Sequence, residues 1–294
     1  MIWLIGCKGM LGTEISRQLS ENKINFVGTD IDVDITNPQA LADFAKGKEI
    51  SYIINCSAYT AVDKAESDQD LAKKLNEDGP RNIAWLANQI NAKMIHISTD
   101  YVFDGTGSCP YTEDMPIAPI GVYGKTKADG ERAVRENLNE HYIIRTAWLY
   151  GWAGRNFVYT MIKAMNTHDG VKVVNDQKGT PTFAGDLAAV ILNFICKDNV
   201  PYGTYHCTDL GEITWWDFTN EIKAQGIALG LVTNKDCVVN PCTTAEYPTP
   251  AKRPAYSVLS KDKIQKTLGI KLPEWEESLK KFLSSELFDA ERIK

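Results

Sequence analysis

Ile2-Trp3-Leu4-Ile5-Gly6-Cys7-Lys8-Gly9-Met10-Leu11-Gly12, running on into Thr13-Glu14-Ile15-Ser16-Arg17-Gln18-Leu19, is the stretch that decides the fold. Four apolar residues that stop at a glycine read as a short strand, and the residues after Gly12 read as a helix. Between them Gly6, Gly9 and Gly12 follow the spacing GxxGxxG. Glycine is needed there because the chain turns sharply, because the backbone must approach a pyrophosphate with no Cβ in the way, and because the helix N-terminus then meets the anion. Strand, glycine turn and helix in this order open a βαβ unit. Gly6, Lys8, Gly9, Met10, Leu11 and Gly12 are therefore candidates for holding the phosphates of a nucleotide.

The alternation continues beyond this unit. Ile2 to Ile5, Asn25 to Thr29, Tyr52 to Asn55, Met94 to Ser98 and Tyr142 to Arg145 are strand candidates, nearly unbroken in Ile and Val as strands covered on both faces should be. Helix candidates lie near Leu11 to Glu21, Pro38 to Lys46, Asp68 to Gln89 and Lys125 to Asn137. Past residue 150 the pattern loosens and proline is more frequent, while a helix over Ala184 to Ile195 and a strand over Gly203 to Thr208 return to the first pattern. The fold class read from this is α/β, a Rossmann-type doubly wound parallel sheet with a smaller, mixed α/β C-terminal substrate domain. Residues 1–150 with 183–210 form the expected dinucleotide-binding domain, and 151–182 with 211–294 the substrate domain.

Composition closes off other classes. The chain has 294 residues, and its 38 acids against 32 bases give a net charge of −6, which lacks the basic footprint of a nucleic-acid binder. The longest apolar runs fall well short of the ~18 residues that span a bilayer. With no basic lead or long apolar segment at Met1, a cytoplasmic location is expected. The seven cysteines form no CxxC pair and are expected to be reduced and buried, and the four histidines show no metal spacing, so no metal ligand is assigned.

Asp30 ends the second strand about 20 positions after the glycine turn, where a carboxylate grips a ribose 2′-hydroxyl and repels a 2′-phosphate; Asp32 is the alternative. Lys8 could instead hold that phosphate, so both NADH and NADPH stay open. Tyr123-Gly124-Lys125-Thr126-Lys127 places a phenol and an amine at i and i+4, on one helix face. An ammonium beside a tyrosine lowers its pKa from roughly 10 toward the working range of an acid or base. Ser98-Thr99-Asp100-Tyr101 follows an apolar strand, at the carboxyl end where doubly wound folds bind ligands, and Thr99, or its neighbour Ser98, can offer a hydroxyl to a substrate carbonyl. Asp186 sits where an acid favours the start of a helix.

GxxGxxG, NCSAYTAVDKAE (Asn55 to Glu66), STDYVFDG (Ser98 to Gly105), YGKTKADGE (Tyr123 to Glu131), RTAWLYG (Arg145 to Gly151), DQKGTPTFAGDLA (Asp176 to Ala188) and AKRPAYSVLS (Ala251 to Ser260) occur in this order across essentially the whole chain. Together they resemble the dTDP-4-dehydrorhamnose reductase family of the extended short-chain dehydrogenase/reductase superfamily. The resemblance implies NADPH- or NADH-dependent reduction of the C4 ketone of a dTDP-linked 4-keto-6-deoxy sugar, dTDP-4-dehydro-L-rhamnose, for polysaccharide synthesis. It implies catalytic roles for Thr99, Tyr123 and Lys127. It adds Asp34, Ile35, Asn55, Ser57, Ala58, Tyr59, Tyr123 and Lys127 to the cofactor side, Lys127 at the nicotinamide ribose, and assigns Val62, Asp63, Thr99, Asp100, Tyr101, Trp148 and Arg253 to the substrate, Arg253 facing its diphosphate. Some relatives hold Mg2+ between subunits; that site cannot be assigned to residues here, and a homodimer stays open. Cys7-Lys8 and Met10 in the glycine turn, and Trp215-Trp216 where relatives often have Ser-Trp, depart from the family pattern and bear on substrate specificity. Two other readings stand beside this one: a reductase of another nucleotide-linked 4-keto-6-deoxyhexose, and a non-catalytic cofactor-binding regulator, since the fold also resembles the regulatory β subunit of methionine adenosyltransferase.

Overall fold

A computed structural model of the chain describes residues 1–293. The apolar runs form β1 (Ile2–Ile5), β2 (Phe26–Thr29), β3 (Tyr52–Asn55), β4 (Lys93–Thr99), β5 (His141–Thr146) and β6 (Gly203–His206). They make one six-stranded sheet in the order β2-β1-β3-β4-β5-β6, and every pair is parallel. The expected strands agree to within two residues at each end, and the strand after the second-half helix does return to the sheet, beside β5.

Because successive side chains of a strand point to opposite faces, the sheet carries two apolar layers. Leu4, Ile54, Ile95 and Ile144 pack on one face against α1 (Met10–Glu21) and, further along the chain, the helix Ala184–Cys196. Trp3, Ile53, Met94 and Ile143 pack on the other against α2 (Pro38–Ala45), α3 (Gly79–Gln89) and α4 (Val122–Asn137). The start of α2 is set by Asn37, whose side chain accepts the N–H groups of Gln39 and Ala40, with Pro38 at the first helical position. The long helix expected over Asp68 to Gln89 is interrupted by a π-helical turn, Lys74–Asp78. Pro80 explains it, having no N–H to give the carbonyl of Asn76 four residues back.

The second half adds α5 (Phe157–Thr167), α6 (Ala184–Cys196), α7 (Trp215–Ala228), α8 (Asp262–Leu268), α9 (Trp275–Leu283) and three short two-stranded ladders. Thr214 and Asp217 form a reciprocal capping box that starts α7. Here the core is a separate cluster centred on Tyr150, Phe183, Phe218, Trp275 and Phe282. Asp186 lies in the first turn of α6, where its carboxylate accepts hydrogen bonds from Ser278 and Lys281. All seven cysteines are free, but the expectation that they are buried holds only for Cys207, Cys237 and Cys242; Cys109 and Cys196 are exposed and Cys7 and Cys56 half-buried, because they fall at loops and helix ends. Among the described residues no helix is long and apolar enough to cross a membrane.

One charged pair lies inside this apolar frame. Glu131 of α4 accepts two hydrogen bonds from the guanidinium of Arg145 on β5, at 2.8 and 2.7 Å, and both side chains are essentially fully buried. Burial alone would raise the Glu131 carboxyl, but Arg145 holds it down at about 2. Breaking such a pair strands a charge. Glu131→Gln and Arg145→Ala are each expected to lose about 3–5 kcal/mol of stability in urea unfolding, with a Met-Met double replacement costing less than either. Since the folded pKa lies below the ordinary 4.5, the stabilisation is present above that value and lost as the pH falls toward about 2, which acid titration of unfolding would show.

Candidate active site

At the carboxyl ends of β1, β3 and β4, where the strand order reverses, a cleft of about 980 Å³ opens. Gly6, Lys8, Gly9, Met10, Leu11 and Gly12 line its floor. Gly6 has φ of +79°, and a Cβ on Gly12 would lie 2.0 Å from the Gly6 carbonyl oxygen, so the turn closes as tightly as its spacing suggests. Gly9 precedes α1 and no side chain caps that helix, which leaves its first N–H groups facing the cleft. A turn that excludes side chains and an uncapped helix N-terminus fit the diphosphate of a dinucleotide. Asp30 lines the cleft too, and its carboxylate also accepts the Lys8 N–H at 3.0 Å, tying the turn to the end of β2. Asp34 and Ile35 lie further along the same wall.

After β3, Ser57, Ala58 and Val62 line the cleft. Asn55 and Tyr59, expected beside them, do not. Asn55 is completely buried, and its side-chain oxygen accepts both the N–H and the hydroxyl of Ser57. The Tyr59 N–H donates to Asn76 at 2.8 Å and its hydroxyl to Asp68 at 3.1 Å. Both hold the loop from behind. A completed hydrogen-bond set turns them inward, and a motif cannot show on which side of a loop its polar groups are satisfied.

Thr99, Asp100, Tyr101, Tyr123 and Lys127 meet on the opposite wall. Thr99 ends β4 and its hydroxyl oxygen accepts the Tyr101 N–H at 3.2 Å. Tyr123 and Lys127 share one face of α4, and Tyr101 meets the Tyr123 ring edge-on at 5.5 Å between centroids. The expected lowering of the Tyr123 phenol by the Lys127 amine is not found, because the amine is taken by the backbone and the phenol is buried. Lys127 donates to the carbonyl of Ile97 on β4 at 2.6 Å, and burial lowers its pKa to about 8. Burial pushes the Tyr123 phenol up to about 12, while the neighbouring Thr99 hydroxyl draws it down and Asp100 pushes it up. The phenol is thus held protonated.

Trp148 lines the cleft in a left-handed conformation, φ +46°, unusual for a bulky residue. Trp215 stacks on it with ring centroids 3.6 Å apart, and a Cβ on Gly179 would come within 2.5 Å of its ring. Asp63 and Arg253, both expected at the substrate, lie outside the lining and bind each other, with the guanidinium 3.1 and 2.9 Å from the two carboxylate oxygens. Their mutual charge lowers the Asp63 pKa, the hydrogen bond from Arg253 being the main cause. Ile31, Arg155 and Trp215 also line the cleft, although the sequence reading gave none of them a binding role. Ile31 is 92% exposed there, and an isoleucine between two aspartates at a strand end is the signal that could have singled it out. Among the described residues no group of three or more His, Cys, Asp or Glu side chains could hold a metal ion.

Residues 1–287 match the model of the RmlD substrate binding domain. The chain belongs to that family. A solved dTDP-4-dehydrorhamnose reductase from Clostridium acetobutylicum is 47% identical, with a TM-score of 0.90 over 96% of this chain and 98% of its own. That of Bacillus anthracis, solved in complex with NADP, is 36% identical, with a TM-score of 0.89 over 96% and 97%. A probable dTDP-4,6-dihydroxy-2-methyloxan-3-one 4-ketoreductase from Streptomyces antibioticus is 41% identical over 95% of this chain and 94% of its own. For this member of the RmlD substrate binding domain family, Gly12→Ala is expected to weaken nicotinamide dinucleotide binding by about tenfold or more, roughly 1.4 kcal/mol, in a fluorescence titration. An unchanged affinity would remove the glycine turn from the cofactor site.

Proposed function

We propose that the chain is a reductase that converts the C4 ketone of dTDP-4-dehydro-L-rhamnose to the alcohol of dTDP-L-rhamnose. The observation that carries this reading is the meeting of Thr99, Tyr123 and Lys127 in the cleft of a chain so closely related to enzymes of that name. A non-catalytic regulator has no need of that constellation. The bound nicotinamide supplies the hydride. Gly6, Lys8, Gly9, Met10, Leu11, Gly12, Asp30, Asp34, Ile35, Ser57 and Ala58 would hold the dinucleotide, on the evidence of the closed glycine turn and the uncapped helix start.

Reduction of a ketone places negative charge on its oxygen only as the transition state forms, and a donor already in place there contributes most. Tyr123, whose phenol burial raises further above neutral pH, is protonated and gives its proton to that oxygen. Thr99 orients the carbonyl with its hydroxyl. Lys127, anchored on the Ile97 carbonyl, brings its positive charge to the same end of β4, where it would contact the nicotinamide ribose. Val62, Asp100, Tyr101 and Trp148 form the sugar side, and residues 151–182 with 211–294 supply its outer part. Asp63 and Arg253 act there as a pair, so a substrate diphosphate must compete with Asp63 for the guanidinium. The second reading, a reductase of a different dTDP-linked 4-ketose, draws support from the Streptomyces relative and from Trp215 covering Trp148.

Loss of reduced-nicotinamide absorbance with dTDP-4-dehydro-L-rhamnose tests the reaction, and oxidation only with another 4-keto sugar favours the second reading. Tyr123→Phe is expected to lower turnover roughly 10²-fold or more while cofactor affinity stays close to that of the parent. Near-normal turnover would remove Tyr123 from the proton transfer. Asp30→Ala is expected to weaken NADH more than NADPH, and Lys8→Ala the reverse, in binding titrations; equal losses would take both residues off the adenosine ribose.

A further inference from the structure

The Thr99 hydroxyl has one hydrogen and two lone pairs. One lone pair takes the Tyr101 N–H. The hydroxyl's other contacts are with Asp100 Oδ1, 2.9 Å away, and with the Tyr123 phenol, which turns to the ketone oxygen when substrate is bound. An ionised carboxylate can only accept, so beside ionised Asp100 the single hydrogen of Thr99 points at Asp100 and none is left for a ketone. A neutral carboxyl with its proton on Oδ1 reverses the bond: it donates to the second lone pair of Thr99 and leaves the hydroxyl hydrogen free for the cleft.

The surroundings of Asp100 suit the neutral form. The side chain is 2% exposed, lines the cleft, and its other oxygen, Oδ2, is buried with no hydrogen-bond partner. No cation faces it closely. The groups around it are Tyr123 from α4, Tyr101 from its own turn and the Ser257 hydroxyl from the C-terminal segment, with Arg253 and Asp63 lying beyond Tyr101 and paired with each other. A buried carboxylate with no cation beside it is costly even with hydrogen bonds to hydroxyls, and protonation relieves the cost. Burial raises the Asp100 pKa to about 6, with the Ser257 and Thr99 hydroxyls pulling the other way.

We propose that Asp100 is a positioning residue for ketone reduction, which in its neutral form donates to Thr99 and so turns the Thr99 hydroxyl toward the substrate oxygen. Asp100 transfers no proton in this scheme. The proton that ends on the product oxygen comes from Tyr123, and the Asp100 carboxyl keeps its own. Ionisation of Asp100 reclaims the Thr99 hydrogen and withdraws one of the two donors from the ketone.

The proposal rests on the reductase reading, and wild-type cofactor oxidation by dTDP-4-dehydro-L-rhamnose tests that reading separately. Given turnover, kcat/KM is measured at saturating reduced cofactor from about pH 5 to pH 9 for the wild type, Asp100→Asn and Asp100→Ala. The sign follows from the raised pKa: the competent form is present below it and lost above it. Wild-type kcat/KM is expected to fall by about tenfold per pH unit above the apparent pKa of the carboxyl. Asp100→Asn keeps an N–H donor toward Thr99 that does not titrate, so its profile is expected to lose that fall. Asp100→Ala has no donor and is expected to be slow at every pH, with Asn restoring at least about tenfold over Ala. Superimposable wild-type and Asn profiles would overturn the proposal. So would an Asn variant that binds cofactor normally yet is no faster than Ala.

Discussion

The docking of α4 on the sheet is the constraint from which the rest of the site follows. Its inward face carries Lys127 and Glu131, charged residues where a helix would ordinarily bury apolar ones. Each is satisfied by the sheet itself, Lys127 by the Ile97 carbonyl on β4 and Glu131 by the Arg145 guanidinium on β5. Two glycines let the helix come close enough. A Cβ on Gly124 would sit 2.1 Å from the Tyr101 carbonyl oxygen, and one on Gly130 would sit 2.0 Å from that of Asn76. These contacts set the depth and rotation of the helix, and so the place of Tyr123 beside Thr99. A buried ion pair is a poor source of net stability, but it penalises every other register of the helix because each would strand a charge.

Burial that costs stability also shapes the chemistry. The phenol of Tyr123 and the carboxyl of Asp100 are both raised by loss of water, which favours the protonated forms, while the amine of Lys127 is lowered for the same reason. A reductase must deliver a proton, so keeping its donors protonated is the useful direction. The opposite wall is built on different physics. The glycine turn and the uncapped start of α1 present backbone N–H groups, whose attraction for anions does not depend on pH. The reversal of strand order between β1 and β3 brings the two walls together in one cleft.

Much of the first half was legible because local pattern and global fold agree there. A strand of Ile2–Ile5 buried on both faces has no polar position to confuse its reading, and GxxGxxG can be read directly as a steric requirement. The pairing of Tyr123 with Lys127 on one face was legible for a related reason, since i, i+4 on a helix is a position that local sequence defines, whereas the choice of Thr99 over Ser98 needed the family pattern. Asn55 and Tyr59 fall outside the cleft lining because Asn55 is taken up by Ser57 and His96, and Tyr59 by Asn76 and Asp68, and a motif does not show which way such bonds turn a side chain. Arg253 was matched to a phosphate by its chemistry, yet its nearest anion is Asp63, 190 residues earlier. The stacking of Trp215 on Trp148 likewise joins the start of α7 to the second residue after β5, and neither tryptophan announces the other.

The sequence by itself determined the order of strands and helices, the glycine turn and the identity of the groups that could do chemistry, because these depend on spacing within a few turns of chain. It left undecided which polar groups face the cleft and which face the protein. Tertiary structure decided that Lys127 reaches a strand carbonyl, that Asp63 takes Arg253 and that Asp100 is left with one oxygen unpaired. Hydrogen-bond satisfaction in a packed interior is a sum over all neighbours, and only the folded chain settles who those neighbours are.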